Sequence, residues 1–75
     1  MSNDAIVAAA FYVRVCVEHE RVFPLRNILI VAPHYVDAND EDRFVSDVED
    51  VLDRYRLGEE IEGLEDALRD EFGGL

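Results

Sequence analysis

The sequence of 75 residues contains no lysine, a single cysteine and only two prolines. Without lysine, seven arginines stand against 18 Asp and Glu side chains, and the formal net charge is −11. Such a chain lacks the basic footprint that general nucleic-acid binding needs, and it is repelled by anionic membrane surfaces. With Cys16 alone there is no intrachain disulfide, and nothing points to an oxidising compartment. Long apolar runs are missing as well. The nearly uncharged stretch 5–17 already contains Arg14, and 28–36 is interrupted by Pro33 and His34. Both fall short of the ~20 residues a membrane-spanning helix requires. The first residues, Met1 to Asp4, lack the positive flank of a signal peptide. The expectation is one small soluble domain, cytoplasmic or part of a virion, with a thin margin of stability.

Arginine as the only side-chain cation besides histidine, together with abundant Asp, Glu, Val and Ala, resembles the proteome style of salt-accumulating haloarchaea and their viruses. The resemblance is one of composition, not of family. It implies molar salt, where the Debye length is about 3 Å and charge repulsion is largely screened.

The charge is unevenly placed. Residues 1–36 hold three acids (Asp4, Glu18, Glu20) and three arginines (Arg14, Arg21, Arg26), and residues 37–75 hold fifteen acids and four arginines. The first half is neutral and the second carries the whole −11. Apolar residues divide the other way, 23 of the first 36 against 14 of the last 39.

In the second half, Phe44, Val45, Val48, Val51, Leu52 and Tyr55 recur on one helical face. Asp37, Asn39 and Asp40 are N-cap candidates, Asn39 with Asp42 approximates a capping box, and Gly58 suits the position just past the C-terminus. This predicts a helix over about 40–57. Ile61, Leu64, Leu68 and Phe72 predict a second over about 60–72, weakened by Gly63, and the short link predicts a helical hairpin. Asp50–Arg54 and Glu65–Arg69 are supportive i,i+4 pairs. The first half is ambiguous. Asp4 and the alanines at 5, 8, 9 and 10 favour a helix to about residue 20, yet Val13, Val15 and Val17 alternate as in a strand. Ile28 to Val31 reads either way. The expected fold is all-α, a domain of three or four helices ending in a helical hairpin. The alternative is α+β, a β-hairpin followed by two helices.

A helix that is apolar nearly all round is buried on more than one side. The neutral half therefore reads as a contact side for another protein or another copy of the chain, with Ile6, Val7, Phe11, Val13, Val17, Phe23, Leu25, Ile28, Ile30 and Tyr35 as the interface. The acidic half reads as the solvated side.

Chemistry is sparse. Residues 37–42 resemble the start of a calcium loop, but the sixth position is Asp42 where glycine belongs and the twelfth is Val48 where glutamate belongs. Cys16 and His19 form one close pair where a structural zinc site commonly needs two. Cys16 between valines reads as an apolar thiol, and His19 among charges as a surface residue. There is no glycine-rich phosphate loop, and no two of the 18 carboxylates are selected by spacing for acid–base work. We therefore expect no metal, no cofactor and no catalytic centre. The function expected is that of a non-catalytic assembly or interaction subunit of a halophilic archaeon or its virus. The alternative is a small haloarchaeal transcription regulator touching DNA through Arg14, Arg21 and Arg26, since the second acidic helix, with only Arg69 for a cation, would be repelled by phosphates.

Overall fold

The structure is a computed structural model that describes residues 3–31 and 38–73, with the backbone alone at 3, 30, 31 and 38. Helix α1 spans Asn3–His19. A 3-10 turn, Leu25–Asn27, runs into the one-turn α2, Ile28–Val31. A second 3-10 turn, Ala38–Asp40, leads into α3, Glu41–Arg56, and α4 spans Leu64–Glu71. Among the described residues there is no strand, and the domain is all-helical with three principal helices. The alternating valines at 13, 15 and 17 are helical, as the preceding alanines favoured. The 28–31 run begins as a helical turn, whereas Tyr35 and the Asp37 cap lie outside the described residues.

Helix α1 is the axis of the fold. Both α3 and α4 make their main contacts with α1. The two C-terminal helices do follow one another across a short link, but they are joined chiefly through α1 rather than by packing face to face. The core consists of Ala5, Ile6, Ala8, Ala9 and Ala10 from α1, with Ile28, Phe44, Val48, Val51, Leu52 and Leu64 brought against them. Alanine is the reason this works. Helix separation depends on the side chains at the contact, and a helix whose buried positions carry single methyl groups admits close neighbours on two sides. The nearly all-round apolarity of α1 is thus largely satisfied within the chain.

The helix ends explain the boundaries. After α1, the Arg21 amide donates to the Cys16 carbonyl and the Glu20 amide to that of Val17. After α3, the Glu59 amide donates to the Arg54 carbonyl and that of Gly58 to Tyr55. Both are Schellman motifs, which need a left-handed residue just past the helix. Gly58 supplies it at φ 84°, and at the end of α1 the residue is Glu20, at φ 52°. Three expectations fail locally. Asp40 stands at the N-cap of α3 but accepts no capping hydrogen bond, and Asp42 pairs instead with Arg26 at 2.9 Å. Helix α4 begins at Leu64 rather than near 60, because Gly63 adopts φ 86° and takes the N-cap position, a conformation incompatible with a helix interior. Asp50–Arg54 forms at 3.3 Å, whereas Arg69 takes Asp66 at 3.2 Å in place of Glu65.

Candidate interaction surface

The expected contact residues separate by burial. Ile6 and Ile28 belong to the chain's own core and offer a partner little surface. Phe11, Val13 and Leu25 are partly buried against that core, and Phe23 is also partly buried. Val7 and Val17 are exposed. The side chain of Ile30 and all of Tyr35 lie outside the described residues. Val22, within the 22–25 stretch of the expected contact side, is exposed as well. Three further apolar side chains are exposed that the sequence pattern did not single out for contact, Tyr55, Leu57 and Phe72, and all three stand in the acidic half, so exposed apolar surface is shared between the halves. Leu57 was readable as such, since it falls outside the apolar stripe of α3 and just before Gly58.

The first exposed cluster surrounds the C-terminal end of α1. The Tyr12 hydroxyl donates to the Phe23 carbonyl, fixing the segment that follows the helix. The Phe23 ring meets the His19 imidazole edge-on at a centroid separation of 5.6 Å, and the Arg21 guanidinium lies 4.7 Å from its centroid. The His19 Nδ1 is 3.0 Å from the Val15 carbonyl oxygen. Val17, 58 % exposed, and Val22, 79 % exposed, stand at neighbouring chain positions. Burial pushes the Tyr12 phenol above its ordinary value, and its interaction with Cys16 pushes in the same direction, against an opposing pull from Arg56.

The second cluster is an open groove between the end of α3 and the start of α4. Tyr55, Ile61 and Leu64 contribute its apolar part, and Glu59, Glu60, Glu62, Glu65 and Asp66 line it. Leu57, 81 % exposed, stands immediately before Gly58 of the same groove. Glu59 is 3.7 Å from Arg54, and Asp66 is held by Arg69. Glu60, Glu62 and Glu65 make no ion pair among the described residues.

The three arginines of the neutral half are not gathered into one site. Arg14 bridges two carboxylates, Glu71 at 2.8 Å and Glu18 at 2.6 Å, and so ties α4 to α1. Its guanidinium is correspondingly harder to deprotonate, first through the hydrogen bond to Glu71. Arg26 is engaged by Asp42. Arg21 makes no ion pair among the described residues and rests on Phe23. A phosphate would have to compete with carboxylates for two of the three. Among the described residues no three His, Cys, Asp or Glu side chains are placed to hold a metal ion, and no helix is long and apolar enough to cross a membrane. Cys16 is a free, half-buried thiol. His34 lies outside the described residues. No protein family, curated protein or solved structure matches the chain significantly.

Proposed function

We propose that this chain is a non-catalytic protein–protein interaction or assembly subunit that works in concentrated salt, of the kind made by a halophilic archaeon or its virus. The observation that carries the contact part is the exposure of large apolar side chains, Val17, Val22, Tyr55 and Leu57 among them, on so small a domain. Exposed apolar surface of this kind marks interaction sites. The salt part rests on composition. With a net charge of −11 and no lysine, self-repulsion opposes the compact state until ions screen it. The DNA-regulator reading gains nothing from the geometry, because Arg14 and Arg26 are engaged by carboxylates.

The test has two arms. The native mass of the protein, measured by light scattering in molar salt after purification from its natural source, should exceed that of one chain. A folded monomer there would overturn the assembly reading. Helix content followed by circular dichroism should fall as salt is removed, and a spectrum indifferent to salt would overturn the halophilic reading.

A further inference from the structure

Helix α4 hangs on the domain chiefly through α1. It makes its main contacts there and few with α3, and an open groove of about 570 Å³ runs between it and the end of α3. Its apolar anchor is small. Leu64 is the one fully buried side chain of α4, with Ile61, Ala67 and Leu68 partly buried beside the core. The other ten core residues among those described lie in α1, in α3 and at Ile28, so they stay together when α4 departs. Eight residues are too few for a helix to persist alone in water, so α4 is helical only while it is docked. The chain turns into this segment at Gly58, at φ 84°, where open space surrounds the α-carbon. We propose that residues 59–72 form a salt-dependent latch. As salt falls they leave α1 as one unit, turning about Gly58, while α1 and α3 stay folded. Concentrated salt closes the latch again. Opening bares the apolar surface that α4 covers on α1.

The placement of charge gives the direction. Residues 59–72 hold seven acids and Arg69, a net −6, and they face α3 with −3 and α1 with −1. Two ion pairs oppose the repulsion. Arg14 holds Glu71 at 2.8 Å while also serving Glu18, and Arg54 lies 3.7 Å from Glu59 at the hinge itself. The Arg14–Glu71 pair acts at contact and is partly buried, so salt weakens it less than it weakens interactions between exposed charges. The repulsion is spread over exposed carboxylates such as Glu60, Glu62 and Glu65, which make no ion pair among the described residues. The Debye length is about 10 Å at 0.1 M salt and about 3 Å at 1 M. Packed helices lie about 8–10 Å apart. Repulsion therefore reaches across the helix contact at the lower concentration and not at the higher, where the burial of Leu64 decides the matter. The inference shares only this screening with the halophilic reading and makes no use of the protein-contact reading.

Native-state hydrogen exchange, followed residue by residue by NMR through a salt titration, tests this. In α4 the reporter is the Ala67 amide, which donates to the Gly63 carbonyl. In α3 the reporters are the amides of Val48 and Val51, two of its buried residues. In molar salt all three should be protected. As salt falls, Ala67 should lose its protection first, while Val48 and Val51 remain at least ~100-fold protected, as a sub-global opening requires. Loss of protection at the same salt for all three overturns the proposal, because α4 then leaves only when the whole domain unfolds. That result together with a fall in helix content leaves the halophilic reading standing. An Ala67 amide unprotected even in molar salt, or protected throughout, also overturns the proposal. The double variant Glu60→Gln/Glu62→Gln separates opening from simple fraying of a short helix. Both side chains are exposed and precede α4. Acids ahead of a helix favour it through the dipole, so a fraying α4 would need more salt once they are gone. A latch opened by repulsion needs less. The midpoint for Ala67 should move to lower salt while that for Val48 and Val51 stays, and a move to higher salt overturns the proposal.

Discussion

Replacing Glu20 with glycine should make the protein more stable, although it removes a side chain. Glu20 is the left-handed residue that closes α1, at φ 52°. A residue with a Cβ in that conformation costs roughly 1–2 kcal/mol, which glycine does not incur. A carboxylate at the negative end of the α1 dipole costs a further ~0.3–1 kcal/mol at low salt. Against these stands the greater freedom of glycine in the unfolded chain, worth about 0.4–1 kcal/mol. The side chain of Glu20 is exposed and makes no ion pair among the described residues, so little else is lost. The balance favours Glu20→Gly by about 1 kcal/mol, or about 4–8 °C in melting temperature for a domain of this size. Thermal melts followed by circular dichroism measure it, with Glu20→Ala as the control. Alanine removes the charge but keeps the Cβ, so it should gain only the dipole part, and that part should shrink in molar salt. Glu20→Gly no more stable than Glu20→Ala would refute the account of how α1 is closed.

Leu64→Ala empties the main buried position of α4 and should cost about 2–5 kcal/mol, a large share of the total, with chemical denaturation as the readout. Arg14→Gln releases α4 from α1 at a bridge whose partners are 31 % and 24 % exposed; melting temperature should fall, and fall further at low salt than at high. Tyr12 has its pKa raised above 10.0, chiefly by burial, so the stability tied to its neutral form is complete below pH 10 and is lost as pH rises through the folded value. Urea midpoints should therefore drop more steeply above about pH 10 in the wild type than in Tyr12→Phe, which itself costs about 1 kcal/mol at neutral pH through the lost hydrogen bond to Phe23.

Much of the local structure was legible in sequence because local rules governed it. The stripe Phe44, Val48, Val51, Leu52 marked α3, and Gly58 marked its end, since the first is a matter of helical period and the second of backbone freedom. Gly63 was misread as a weak interior position because composition does not reveal the sign of φ. The capping box at Asn39 and Asp42 was misread because Arg26, distant in sequence, claims Asp42. Of the residues the sequence offers for contact, Val7 and Val17 are exposed, whereas Ile6 and Ile28 are in the core, and the apolar pattern does not separate the two pairs. Nothing in the run of residues says which of several apolar side chains the rest of the chain will cover.

By itself the sequence determined that the chain is acidic in one half and neutral and apolar in the other, and that the acidic half has the period of helices. Charge and period are properties of residues and their spacing, and they hold before folding. Only the tertiary structure decided that residues 3–19 form a helix rather than a strand, that this helix is the central one contacted by both α3 and α4, and that the uncovered apolar side chains fall both at the end of α1 and beside the acidic groove. That outcome depends on which surfaces compete for the same cover, and competition between distant segments is settled by packing, where a methyl group admits a neighbouring helix that a larger side chain would hold away.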